Sequence, residues 1–344
     1  MIKNYIEEDI DCLAWIVASI LDIGNDEQGS LLKKGLELEL AGKKDFVFLQ
    51  LSMMYDQKTI NYFIDGFEDA SQESRAYALE VLDMTVPPHV KDLFLPLLTE
   101  LNYDELLKAY DAHFTQERLP VKDRLIDIIN KSYSKINIWN KACAMNLLAT
   151  YDDTEKVLLA NALNDSALLS ETALWVLFNK NPQSVNEFLD RIKPADNLKV
   201  NAVLKYFPQI SKSRLLLFDV INRLKQNSFF SELTEFELVP VAEWAKQVFV
   251  AAGTQFTVTE NELEDLFFVL DGGCDIHTTN GLESMIAYEM YWYIQSGSNI
   301  SELSFTAKAD TIILQINSNT MFELLAEHIN LSKKIINVLS KQKA

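Results

Sequence analysis

Four aromatic residues crowd one short stretch of this chain, Tyr288, Tyr291, Trp292 and Tyr293. Flat π faces at this density can stack on a base or dock a protein partner, and they can equally fill a core. A second grouping is acidic: Glu260, Glu262, Glu264 and Asp265. Carboxylates suit a hard cation, but the Asp-x-Asp-x-Asp-Gly spacing of a calcium loop is missing, so a solvated acidic hairpin is expected. The four histidines, His89, His113, His277 and His328, stand singly and outside any nucleophile or metal motif, with His277 expected at the surface. There is no phosphate-cradling GxxxxGK[ST] loop, no GxGxxG and no GxSxG. No catalytic residue, metal ligand or cofactor is assigned, and the chain is expected not to be an enzyme.

The three cysteines, Cys12, Cys143 and Cys274, lie too far apart in sequence to form a CxxC pair, which points to a reducing, cytoplasmic compartment. The net charge is −19 over 344 residues, with 25 basic and 34 acidic groups in residues 1–228 and 6 and 16 in residues 229–344. Such a surface repels phosphate backbones and anionic lipid, so nucleic acid is not expected as a partner. The acidic start (Glu7, Glu8, Asp9) argues against a signal peptide. The apolar run Ile10–Ile23 is interrupted by Asp11 and Asp22 and is too short to span a bilayer, so a soluble chain is expected.

The elements that would hold these residues change character along the chain. Residues 2–23 carry Ile6, Ile10, Leu13, Val17, Ile20 and Leu21 at three- and four-residue steps, and a second helix is expected from about Gln28 to Tyr55. From Thr59 to Asn227 helix follows helix, punctuated by Pro87-Pro88, Pro120, Pro182, Pro194 and Pro208. Ala78-Leu79-Glu80-Val81-Leu82 is echoed at Ala144–Leu148 and Ala173–Leu177, and more loosely at Ala202–Tyr206, a spacing that suits stacked helix pairs. No glycine occurs for 186 residues between Gly66 and Gly253; then Gly253, Gly272, Gly273, Gly281 and Gly297 follow closely. Together with Leu266–Leu270 and the β-branched run Thr311–Ile316, these turn residues predict a compact β-barrel or jelly roll closed by a C-terminal helix. The expected segments are a helical pair over 1–58, an α-solenoid over 59–228 and a β domain over 229–344.

Ile138–Ala144 and Leu168–Trp175 resemble HEAT-type repeats, in particular those of bacterial proteins that pair HEAT units with a cyclic-nucleotide-binding-like domain. In some of these the pair forms the cytoplasmic tail of a transporter resembling the ATP/ADP translocases. Phe249–Phe256 with Glu264–Gly272 looks like the opening of the cyclic-nucleotide-binding fold, and Ala309–Ile316 with Met321–Leu325 looks like its last strand and closing helix. The resemblance implies an α+β multidomain chain, a HEAT-like solenoid followed by a cyclic-nucleotide-binding-like β-barrel, either free-standing or held at a membrane through a partner.

The family's site needs a Gly-Glu pair ahead of a short helix and an arginine that forks onto the phosphate. Here Tyr288 stands where glycine belongs, only Glu289 is retained, and the arginine position falls at Ser301-Glu302-Leu303. Arg223 is the last arginine, so Lys308 is the nearest cation in sequence. The ligand residues implied are thus Tyr288, Glu289, Trp292 and Lys308, in a barrel that has lost its phosphate grip. The expected function is a non-enzymatic regulatory or protein-interaction module, its partner a protein such as a transporter-like membrane protein. The alternative is a sensor that binds a cyclic nucleotide or other small molecule in the barrel.

Overall fold

A computed structural model describes residues 2–58, 60, 61, 64, 72–99, 101–278, 281–292, 302–328 and 331–333. The chain divides into two compact units, Met1–Asp152 and Asp153–Ala344.

In the first unit, helix α1 (Ile2–Ile23) is followed by α2 (Ser30–Met54), α3 (Gln72–Thr85), α4 (Pro88–Leu98), α5 (Tyr103–Tyr110), α6 (Val121–Asn130) and α7 (Ile138–Leu148). The stripe Ile6, Ile10, Leu13 and Val17 is buried as its spacing predicts. So are Cys12, Ala14, Trp15, Ile16, Ala18 and Ser19, because Leu13–Ala18 is apolar all round and a helix of that kind must be covered on every side. Accordingly α1 packs against α2, α4, α5 and α6, and its core side chains meet Val47, Phe48 and Leu51 as well as Val90, Phe94 and Tyr110. A solenoid unit touches only its neighbours. This unit is instead a bundle around one central helix, which corrects the expected solenoid for this part of the chain.

Polar bonds inside the bundle are buried with it. Asp22 accepts from Arg124 Nε at 2.8 Å and from the Leu119 amide at 3.0 Å, while Asp127 accepts from Arg124 Nη1 at 2.8 Å and Trp15 Nε1 at 2.7 Å. Arg124 is 2% exposed, so every donor it carries has to be answered from within the protein.

The second unit opens with α8 (Glu155–Asn161), α9 (Ala167–Lys180), α10 (Pro182–Leu189), α11 (Pro194–Leu204), α12 (Leu217–Leu224) and α13 (Val239–Trp244). Proline stands at the first turn of α4, α10, α11 and α13, where its missing N–H costs nothing. Ala144 and Ala173 of the sequence echo are fully buried. Ala202 is exposed, so the loosest copy does not share their packing.

The strands are β1 (Lys246–Val250), β2 (Gln255–Thr257), β3 (Leu266–Asp271), β4 (Gly273–Thr278), β5 (Gly281–Ile286), β6 (Met290–Trp292), β7 (Leu303–Ala307) and β8 (Thr311–Ile316), closed by α14 (Ser318–Glu327). They form two antiparallel sheets, ordered β1-β8-β3-β6 and β2-β7-β4-β5. The nested pairs β1 with β8, β2 with β7, β3 with β6 and β4 with β5 describe one long ribbon wrapped on itself, the order of a jelly roll. Among the described residues no strand pairs across the two sheets, so the expected closed barrel is replaced by two sheets enclosing one core. β3 and β8 are buried along nearly their whole length, since α12 and the turns that follow it cover the face of β3 turned away from the partner sheet: Phe230 in those turns packs edge-on against Phe268 at 6.2 Å. That double burial explains their unbroken apolar runs. Gly272 turns β3 into β4 at φ 81°, and a Cβ there would strike the Asp310 carbonyl.

The boundary expected at 228/229 falls inside this unit. Gln247 of β1 both accepts from and donates to the Leu215 backbone, at 2.8 and 2.9 Å. Glu243 accepts from the Ser166 hydroxyl and the Leu168 amide at the start of α9.

Candidate functional site

The residues implied as ligand groups are distributed over separate surroundings. Lys308 follows β7, and its ammonium lies 2.7 Å from Asp275 and 2.9 Å from the Ser284 hydroxyl. Asp275 and Ser284 face each other across β4 and β5, on the side opposite to the core residues Cys274, Ile276 and Met285. Hydrogen bonding to Lys308 and Ser284 holds the Asp275 carboxyl below its ordinary range. Lys308 is therefore committed to a carboxylate on the outside of its sheet.

Tyr288 and Glu289 form the turn between β5 and β6. Tyr288 adopts a φ of 70°, a conformation that favours glycine, so the backbone here keeps a glycine's shape with a tyrosine on it. Its amide donates to Val269 O at 2.8 Å and its carbonyl accepts from Asn227 Nδ2 at 2.8 Å. The Glu289 carboxylate accepts from the Ile286 amide at 2.8 Å, closing its own turn. Trp292 donates its indole N–H to Glu264 O at 3.0 Å and tilts against Phe322 of α14, with ring centroids 6.1 Å apart. Tyr293 and Ser301 lie outside the described residues. Four candidate groups thus serve three local structures.

Two further expectations change. Asp265 is 3% exposed rather than part of a solvated hairpin: it accepts from Gln315 Nε2 at 2.8 Å and the Ser318 amide at 3.0 Å, tying β3 to β8 and the start of α14. The β domain also has an arginine within reach, although its own sequence holds none. Arg223, near the end of α12, donates to Leu270 O at 2.7 Å, sits 3.6 Å from the Asp271 carboxylate and places its guanidinium 5.8 Å from the Tyr288 ring centroid. Only its position in the last turn of a helix entering the β domain hinted at this.

Between the sheets the space is occupied by side chains. Phe267 and Phe305 have centroids 4.9 Å apart, Phe256 stacks on Phe305 at 6.2 Å, and Tyr291 meets Phe305 edge-on at 6.4 Å. The aromatic stretch therefore contributes Tyr291 to the core, the filling role, while Tyr288 is 39% exposed.

Solved structures similar to the chain include the sensor domain of the transcriptional regulator DNR from Pseudomonas aeruginosa, at 13% identity and TM-score 0.31, covering 36% of this chain and 90% of that one. Another is a putative cyclic nucleotide-binding protein from Geobacter metallireducens, at 18% identity and TM-score 0.28, covering 35% and 92%. A third is the C-linker/CNBHD of zELK channels crystallized in the presence of cAMP, at 17% identity and TM-score 0.28, covering 48% and 95%. No family model and no curated protein matches the chain.

The first unit holds a cavity that the sequence reading did not single out. It is about 530 Å³ and runs between α1 and α2. Tyr5, Asp9 and Cys12 line it from one face of α1, and Lys43, Phe46, Gln50 and Met53 from one face of α2. The loop before α7 adds Ser134 and Lys135. Cys12 donates its thiol to Lys135 O at 3.3 Å, and burial pushes that thiol up to about 11, so it is an inert wall rather than a nucleophile.

Outside these clusters the second unit also buries the carboxylates of Glu171 and Glu235. Glu171 of α9 accepts from the Leu217 amide, capping α12. Burial pushes it up to about 7, against the pull of that amide and of Arg214. Among the described residues no three histidine, cysteine or carboxylate side chains gather as metal ligands do, and no helix is long and apolar enough to cross a membrane.

Proposed function

We propose that this chain is a non-enzymatic regulatory or protein-interaction module whose jelly roll keeps the outline of a cyclic-nucleotide-binding-like domain without its ligand chemistry. The observation that carries this reading is the interior of the two sheets, packed by Phe256, Phe267, Phe305 and Tyr291. The polar groups that would grip a cyclic phosphate support it too, since Lys308 is spent on Asp275 and Glu289 on the Ile286 amide. What the unit offers instead is outward surface. Leu282 and Ile286 point away from the core along β5, at 61% and 66% exposure, with Tyr288 in the adjoining turn, and such side chains suit a protein partner.

Titration calorimetry with cyclic AMP and cyclic GMP at low salt tests the reading. A missing bidentate arginine removes charge-assisted bonds worth roughly 1.5–3 kcal/mol each, so affinity of about millimolar or weaker is expected. Saturable one-site binding tighter than about 10 μM, abolished by Lys308→Ala or Glu289→Ala, would instead make the jelly roll a sensor.

A further inference from the structure

The sheet edges of the jelly roll belong to β1, β6, β2 and β5, and β5 is the longest of them. Its hydrogen-bonding phase is fixed from β4. Gly273 donates its amide to Thr311 Oγ1 at 3.1 Å and accepts from the Lys308 amide at 2.9 Å, so both groups face away from its cross-strand partner Ile286. Ile286 in turn gives its amide to the Glu289 carboxylate at 2.8 Å, and its carbonyl accepts from the Glu289 amide at 3.1 Å. An antiparallel ladder alternates between residues bonded to the neighbour and residues facing away from it. The amides and carbonyls of Leu282 and Ser284 therefore also face away from β4, and among the described residues none of these four groups has a partner. Such a row is a template for one more strand.

The side chain between them selects the occupant. The self-pairing that would use all four groups on each strand sets Leu282 of one copy opposite Ser284 of the other, and Glu283 opposite Glu283. Like charges directly opposite are destabilising, and two chains of net charge −19 repel besides. The same exposed position favours a lysine or arginine on the incoming strand. Residues 229–344 carry 6 basic and 16 acidic groups, a field that draws a basic segment. On the outer face Leu282 and Ile286, at 61% and 66% exposure, offer contact to apolar side chains flanking that cation.

We propose that the β5 edge takes an extended segment of another protein as an added antiparallel strand, with β-branched apolar residues opposite Leu282 and Ser284 and a lysine or arginine opposite Glu283. This deepens the protein-interaction reading of the jelly roll and rests on it.

Titration calorimetry on the full chain tests it with the capped peptide Thr-Val-Lys-Val-Thr, against the same peptide with glutamate for lysine or with both valines N-methylated. The lysine peptide is expected to bind one site about threefold or more tighter than the glutamate peptide, and N-methylation to weaken it by about tenfold or more. Glu283→Lys should reverse the order of the first two peptides. Leu282→Pro removes an outward N–H at an edge position of the kind that tolerates proline, and should weaken both. Glu283→Lys changes only an exposed side chain, so it reads binding even if Leu282→Pro disturbs the strand. In hydrogen exchange the Leu282 and Ser284 amides should exchange freely in the chain alone and about tenfold or more slowly with saturating lysine peptide.

The proposal is overturned if the lysine peptide does not bind, if Glu283→Lys leaves the order unchanged, if a folded Leu282→Pro keeps full affinity, or if the two amides are protected in the chain alone. A dimer in sedimentation that Glu283→Gln strengthens and Leu282→Pro dissolves would make a second copy the occupant and overturn it equally. Each of these outcomes leaves the module reading standing, because that reading falls to cyclic-nucleotide binding instead.

Discussion

The jelly-roll interior and the α1–α2 cavity are opposites. The first is surrounded by residues whose types suggest a ligand, yet its space is filled by Phe267, Phe305 and Tyr291 and the polar groups around it bond to one another. The second is built from an unremarked pair of helices, yet it has room. Room for a ligand is therefore decided by how side chains pack and whom they bond, more than by the presence of aromatic and charged residue types.

The contrast breaks most readily at Phe305, which is fully buried. Phe305→Ala is expected to cost about 3–5 kcal/mol in denaturant unfolding, whereas Phe46→Ala at the cavity mouth should change stability by about 0.5 kcal/mol or less. A Phe305→Ala cost of about 1 kcal/mol would mean that the sheets enclose adjustable space after all.

Glu171 sharpens the comparison for buried polar groups. Its folded-state value, about 7, lies above the ordinary carboxyl value. The folded protein therefore holds this proton more tightly than the unfolded chain does. The stabilisation is complete below about pH 4.5 and is lost as pH rises through about 7. Glu171→Gln should flatten that pH dependence and, at pH 8, raise stability by up to roughly 3 kcal/mol. Equal pH profiles for the two proteins would show that the Leu217 amide and Arg214 fully compensate the burial.

A smaller effect is expected where α2 meets α7. A Cβ on Gly35 would collide with Asn140 Oδ1, whose amide nitrogen donates to Gly35 O at 3.3 Å. Gly35→Ala should destabilise the first unit by about 1–3 kcal/mol, read by thermal or denaturant unfolding. An unchanged midpoint would indicate that α2 slides on α7 without penalty, and the neighbouring cavity would then be adjustable too. The smallest effect is electrostatic: Lys308→Ala should return the Asp275 carboxyl upward toward its ordinary range in an NMR titration, since the Lys308 hydrogen bond is the main cause of the depression. An unmoved Asp275 would release Lys308 as a candidate ligand group.

Local patterns made much of the fold legible. Apolar spacing marks α1 almost to the residue, prolines mark the first turns of later helices, and Gly272 marks a turn that needs positive φ. Such signals act within a few residues, so the sequence carries them directly. The β-branched run Thr311–Ile316 likewise announces β8. The candidate site was less legible, because the groups that look reactive in sequence found partners far along the chain. Lys308 meets Asp275, and Trp292 meets Glu264.

By itself, then, the sequence determined the kinds of element, their approximate order and the absence of the familiar phosphate-loop and nucleophile motifs. Tertiary structure alone decided that α1 is a hub rather than one member of a helical pair, that Arg223 serves the β domain, and that Asp265 is buried. It also decided that Gln50 keeps an unanswered oxygen while Glu289 does not. The physical reason is that secondary structure follows from neighbours in sequence, whereas burial and hydrogen-bond satisfaction are settled by neighbours in space. Asp9 and Gln50 stand 41 residues apart on two helices, and only their packing brings the amide nitrogen to the carboxylate and leaves its oxygen buried without a partner.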